Sequence, residues 1–260
     1  MKAFMNVCRH RGARLRDEPC GTAKTLSCPY HKWTYDPNGN LRGLPHASGL
    51  GDIDKKTLGL VELPAFERFG LIWVRPSAGE DALDIDAWLA PMAEQLTSPG
   101  LDKHVVFREW SLDRKMGWHL AIEGFQESYH FCGAHEHTAC AAYLDNQSSF
   151  IDKYPHLRHS VPLRSIVDLK EKAKEEWEHR PYFLTQNYLF PCNYMQVQTD
   201  HVCIHSVIPT GVDTCIFKCI RLIPEAPKTE KAERYWQKNY DVTRTVFTRI
   251  SRSVRTSRKA

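Results

Sequence analysis

The chain has 260 residues, 42% hydrophobic and 25% charged, enough for one large or two modest globular domains with a buried core. Lys, Arg, Asp or Glu interrupts every apolar run, which argues against a membrane span. Residues 1–7 run too soon into Arg9 and Arg11 for a secretory signal, and a net charge of +4 without a basic, aromatic-interleaved patch gives no case for nucleic acid.

In chain order, residues 1–77 read as short strands and tight turns. Asp36-Pro37-Asn38-Gly39-Asn40 is a turn, because Asn-Gly suits positive φ, and Leu71-Ile72-Trp73-Val74 is a short strand ended by Pro76. Ser77-Ala78-Gly79-Glu80-Asp81 reads as a linker. A short helix is predicted at Asp86-Ala87-Trp88-Leu89, a strand over 105–112 and a helix over 118–131. Segments 186–198, 201–209 and 213–223 read as consecutive antiparallel strands, with Gln196, Gln198, His201 and His205 marking a half-polar face. A long helix follows from about Lys228. The order predicts an α+β fold in two domains, 1–77 and 78–260.

Nine cysteines, an odd number, without an export signal predict a reducing, cytoplasmic setting and no disulfide framework. Cys8 and Cys28 stand apart because each has a histidine at a short offset. Cys132, Cys140, Cys203, Cys219 and the other three read as small buried hydrophobes or incidental thiols.

Cys8-Arg9-His10 and Cys28-Pro29-Tyr30-His31 form C-x-H-x17-C-x2-H. Each half offers one thiolate and one imidazole from a tight loop. A Rieske [2Fe–2S] centre needs two Cys on one iron and two His on the other. A Cys2His2 zinc site is the rival, although zinc sites usually pair Cys with Cys and His with His.

Downstream, Glu123, Glu127 and His130 fall at i, i+4 and i+7, one face of a helix. His135 would lie about 140° from His130 on a continuous helix, so the two meet only if the helix breaks, which Gly133 permits. Two His and a carboxylate form the usual set for oxygen-activating non-haem iron. The alternative is a polar helix face with His130, His135 and His137 as surface residues.

The run from Asn6 to Ala13, with Cys28-Pro29-Tyr30-His31-Lys32-Trp33-Thr34-Tyr35-Asp36, resembles the Rieske segment of the ring-hydroxylating oxygenase α subunits. That family usually has Gly where Lys32 stands. The stretch from Glu123 to His135 resembles its mononuclear-iron helix. The resemblance implies a Rieske β domain followed by a helix-grip catalytic domain, an antiparallel sheet with a long C-terminal helix. It implies Cys8, His10, Cys28 and His31 as cluster ligands and His130 and His135 as Fe(II) ligands. It makes Glu127 a carboxylate linking His130 to His31 across a subunit boundary, in a homotrimer or an α3β3 assembly. The activity it implies is O2-dependent hydroxylation or demethylation of a small organic substrate, aromatic hydrocarbons included, with electrons from an NAD(P)H-dependent reductase or ferredoxin.

Both ends depart from the family. Several strands normally precede the first loop, whereas Cys8 comes almost at once, so an incomplete Rieske domain is expected. The family's third iron ligand is an Asp on the C-terminal helix, yet no Asp or Glu follows Asp241. Asp241 is the one substitute, about two turns or 10 Å too early along a helix. These losses keep open a cluster-bearing electron carrier or inactive paralogue, and they predict a poor oxygenase.

Overall fold

The computed structural model describes residues 1–79 and 84–257, with only the helical backbone for 249–257. Two compact units span residues 1–86 and 87–260.

The first unit is built from short strands, as the turn-rich sequence predicts. Strand β1 (Ala3–Phe4) pairs with β5 (Glu62–Leu63), and β2 (Leu26–Ser27), β3 (Thr34–Tyr35) and β4 (Leu41–Gly43) form an antiparallel sheet. Strands β6 (Ala65–Arg68) and β7 (Leu71–Val74) make a hairpin. The turn after β3 is held by the Asp36 carboxylate, which accepts from the Asn38 and Asn40 backbone N–H groups at 2.9 Å each and from Arg42 Nε at 2.8 Å. Hydrogen bonds from Asn40, ahead of those from Arg42 and Asn38, outweigh desolvation and draw the carboxyl down to about 2. Gly39 takes φ +83°, and a Cβ there would sit 2.5 Å from the Phe4 ring. Trp33, Tyr35, Leu41 and Leu60 bury the two motif cysteines, Cys8 and Cys28.

The second unit carries a seven-stranded antiparallel sheet. Its strands are β8 (Val105–Arg114), β9 (Ser149–Lys153), β10 (His156–Pro162), β11 (Phe183–Leu189), β12 (Asn193–Val197), β13 (Val202–Gly211) and β14 (Thr214–Ile223). They lie in the order β8-β14-β13-β12-β11-β10-β9. Short helices α1 (Ile85–Leu89), α2 (Ala93–Thr97), α3 (Trp118–Glu123), α4 (Phe131–Ala134) and α5 (Ala139–Ala142) precede the long α6 (Glu230–Ser257). Thr229 caps α6, its Oγ1 accepting from the Ala232 N–H at 3.2 Å, and Glu230 and Glu233 favour the positive end of the helix dipole. One sheet face presents Tyr194, Cys203, His205, Val207, Phe217 and Cys219, and Phe247 of α6 packs on it. No described helix is long and apolar enough to cross a membrane.

Three expectations need correction. Residues 186–198 are two strands separated by a turn around Pro191. Residues 118–131 are not one helix: α3 ends at Glu123, and Ser128 Oγ then bonds Asp145 O at 2.9 Å and Ser148 Oγ at 2.6 Å, drawing the chain away from the helix axis. Glu123, Glu127 and His130 therefore share no helical face. Cys132 and Cys140 form a disulfide, because α4 and α5 fold back until their Cα atoms are 4.6 Å apart. The other seven cysteines are free.

Candidate metal centres

The two motif loops have the same backbone plan. Cys8 N–H donates to Ala13 O at 2.8 Å, and Cys8 O accepts from Gly12 N–H at 3.1 Å. Cys28 N–H likewise donates to Trp33 O at 2.8 Å, and Cys28 O accepts from Lys32 N–H at 3.1 Å. Both loops close with a left-handed residue, Gly12 at φ 72° and Lys32 at φ 58°. Position 32 therefore asks for glycine, and Lys32 bears the steric cost of its Cβ.

This plan turns the thiols inward and the imidazoles outward. Cys8 and Cys28 are 2% and 1% exposed and touch one another. His10 and His31 are half-buried, with ring centroids 4.6 Å apart. Trp33 stacks on His10 at 4.8 Å. The buried Tyr35 hydroxyl meets Cys8 Sγ at 3.4 Å and accepts from the Arg9 N–H at 3.1 Å. Burial raises the Cys28 thiol, but the Tyr30 and His31 N–H groups and Cys8 outweigh it, so the net direction is down. Burial, then His31 and Arg11, lowers His10. Burial, then the Cys8 contact, raises Tyr35. An inner pair of sulfurs and an outer pair of imidazoles, one of each from either loop, fit a Rieske cluster.

In the second unit, His130 and His135 bring their rings to 5.3 Å. His130 precedes α4 and His135 follows it; Gly133 lies inside that single turn, so the helix ends at His135 and not at the glycine. His135 is fully buried, and its carbonyl accepts from the Thr138 and Cys140 N–H groups at 3.0 and 3.1 Å. Glu127 accepts from the His130 N–H at 3.1 Å and also bonds the His130 ring at Nδ1. That contact leaves Nε2 of His130 for a metal.

Both imidazoles line a cavity of about 250 Å³. Phe125, Phe131, Tyr143 and Phe247 give it an aromatic wall, and Gln186, Gln196, Gln198 and Asn239 a polar one. Among the described residues Glu127 is its single carboxylate, and neither Lys nor Arg lines it. His137 is not part of it; its side chain is 81% exposed beside Glu136. Asp241 does not reach it either. That residue is exposed, accepts from Gln237 Nε2 at 3.0 Å, and lies on the other side of α6 from Asn239, Thr243 and Val246. The two imidazoles fit a mononuclear iron, but no described carboxylate from α6 joins them.

Several apolar residues of these strands lie outside the cavity. Strand alternation puts Met195 and its partner Ile204 on the opposite sheet face. Tyr194 is covered by Phe125 at 5.3 Å, and Phe190 sits in the β11–β12 turn beside Trp88. Sequence reasoning missed the α6 contribution. Asn239, Val242, Thr243, Val246 and Phe247 recur at helical spacing, a stripe legible before the structure.

Residues 101–250 match the family model described as ring hydroxylating alpha subunit (catalytic domain). The chain belongs to the ring-hydroxylating oxygenase α-subunit family. Residues 1–63 match the Rieske [2Fe-2S] domain, and the two domains together imply a Rieske cluster and a mononuclear iron. Within the family, the glycine betaine monooxygenase oxygenase subunit of Chromohalobacter salexigens is 36% identical over 133 residues, 51% of this chain and 29% of that protein. The large oxygenase component of a Ralstonia sp. naphthalene 1,2-dioxygenase system is 48% identical over 71 residues, 26% of this chain and 16% of that one. The matched stretch is thus under a third of either relative.

Solved structures share the fold. The quaternary ammonium Rieske monooxygenase CntA in complex with L-carnitine has a TM-score of 0.81 at 18% identity, covering 100% of this chain and 68% of that one. Naphthalene 1,2-dioxygenase from Rhodococcus sp. bound to indole has a TM-score of 0.70 at 20% identity, covering 90% and 62%. The α+β fold, with Rieske-type sheets and an antiparallel catalytic sheet, is as the sequence predicts.

Proposed function

We propose that this chain is the oxygenase component of a system that hydroxylates or demethylates a small organic substrate bearing an ammonium group. The observation that carries the reading is the convergence of His130, His135 and Glu127 on an aromatic cavity with one carboxylate and no described basic residue. Aromatic faces and a lone carboxylate attract a cation, and a quaternary ammonium is a ligand such walls suit. Relatives named for glycine betaine and carnitine support that class over aromatic hydrocarbons.

Bound to these residues, a Rieske cluster would supply single electrons and a mononuclear iron would activate O2. The chain's own groups do the rest. His130 and His135 line the cavity with ring centroids 5.3 Å apart, close enough to share one metal. Glu127 fixes the His130 tautomer through Nδ1 and keeps nearly half its side chain exposed, at 45%. That exposure suits contact with the His31 of a neighbouring subunit, in a homotrimer or α3β3 assembly. Phe125 and Phe247 exclude water from the side facing α6. Electrons would come from an NAD(P)H-dependent reductase or ferredoxin.

One observation favours a second reading, the electron carrier. The described part of α6 offers the cavity Asn239 and Thr243 but no carboxylate, so the iron would lack its anionic oxygen ligand. The test is substrate-dependent O2 uptake with a competent reductase, using glycine betaine, carnitine and naphthalene. Coupled uptake with aldehyde release from an ammonium substrate supports the proposal. A reduced cluster that never consumes O2 with any of them supports the carrier, and turnover of naphthalene alone overturns the substrate class.

A further inference from the structure

A second group of metal-ligating side chains lies outside the His130–His135 cavity, on the sheet face beneath α6. Antiparallel register sets His205 opposite Cys219 and Cys203 opposite Arg221. The ligand atoms of Cys203, His205 and Cys219 all lie within 4.8 Å of one another. These three are 0%, 0% and 1% exposed. Neither ring nitrogen of His205 bonds a nitrogen or oxygen, and its polar neighbour is the Cys203 thiol.

A fourth side chain adjoins Cys203. His201 is 2% exposed, and its Nδ1 bonds Asp200 Oδ1 at 2.7 Å. That bond leaves Nε2 buried and facing the Cys203 thiol. A carboxylate holding one imidazole nitrogen while the other points at a ligand cluster is the arrangement that orients metal-bound histidine.

The geometry points to a zinc(II) site formed by Cys203, His205 and Cys219, with His201 as its fourth ligand. Two thiolates and two imidazoles around one ion suit zinc. Its two charges balance the two thiolates, whose protons leave to solvent on binding, and buried Arg221 balances Asp200. The site would tie β13 to β14. It would also brace α6, because the His205 ring stacks on Phe247 at 4.8 Å and Phe247 lines the His130–His135 cavity.

The test uses the full chain carrying its iron–sulfur cluster, so that Cys8 and Cys28 are occupied. After dialysis against a chelator, metal content and zinc-edge X-ray absorption are measured for the parent, Cys203→Ser and Cys219→Ser. The proposal expects about one zinc per chain, with sulfur near 2.3 Å and nitrogen near 2.0 Å. Zinc should fall about tenfold or more in both variants while iron and acid-labile sulfide stay unchanged. A parent without zinc overturns the proposal. So does a parent whose zinc shell holds only nitrogen and oxygen, which settles the matter even if the variants fail to fold. Copper(I) in the sulfur shell in place of zinc overturns the metal assignment.

Discussion

Replacing Tyr35 with Phe isolates one hydrogen bond at the cluster. The ring is fully buried, so Phe keeps the packing and removes only the hydroxyl. That hydroxyl meets Cys8 Sγ at 3.4 Å and accepts from the Arg9 N–H at 3.1 Å. Reduction adds negative charge to the cluster and its sulfurs, so a donor to Cys8 stabilises the reduced form more than the oxidised one. A differential of about 0.5–1.5 kcal/mol, the range of a single net hydrogen bond, corresponds to about 20–60 mV for one electron. Tyr35→Phe should therefore lower the cluster potential by that amount. It should also cost about 1–2 kcal/mol of stability, because the Arg9 N–H loses its partner. Protein-film voltammetry measures the first effect and thermal unfolding the second. An unchanged or raised potential in a variant with an intact cluster signal would refute the assignment of Tyr35 as a donor to a cluster ligand.

Lys32→Gly should stabilise the first unit by up to about 1 kcal/mol, since a residue without Cβ takes φ 58° at no steric cost; chemical denaturation reads it, and destabilisation would contradict the strain argument. Glu127→Gln should leave both metal sites loaded but slow single-turnover re-oxidation of the reduced cluster about 10–100-fold, and iron loss would instead make Glu127 a ligand. His159 sits at about 4 when folded against its ordinary 6.5, because burial disfavours its charged form more than nearby Glu127 favours it. The unfolded chain then takes up a proton that the folded chain refuses, so about 3 kcal/mol of stability is lost as pH falls from about 6.5 to 4. Melting curves of the parent and His159→Phe at pH 7.5 and 4.5 check this, the variant losing less on acidification.

The Rieske loops were legible because their chemistry is local. Each candidate ligand pair lies within four residues, and the Asp36–Asn40 turn announces the hairpin that covers them. The catalytic sheet was legible where strands are long, as in β8, β13 and β14. The segment 124–130 was not, because Ser128 leaves the helix through bonds to Asp145 and Ser148, which no periodicity reveals. The Cys132–Cys140 link depends on two one-turn helices folding back, which spacing alone does not show. The partnership of Cys203 and His205 with Cys219 needed the β13–β14 register, although the polar face carrying His201 and His205 could be seen. Asp241 failed as a substitute ligand because Asn239, Thr243 and Val246 define the inward stripe of α6, and Asp241 falls outside it.

Mössbauer spectroscopy of the iron-57 protein separates cluster iron from a mononuclear ferrous site in one sample. The two kinds should appear in a ratio of about 2:1. Cys28→Ser should lose only the cluster, and His130→Ala only the mononuclear iron. Cluster iron alone in the parent, or a mononuclear signal that survives His130→Ala unchanged, would contradict it.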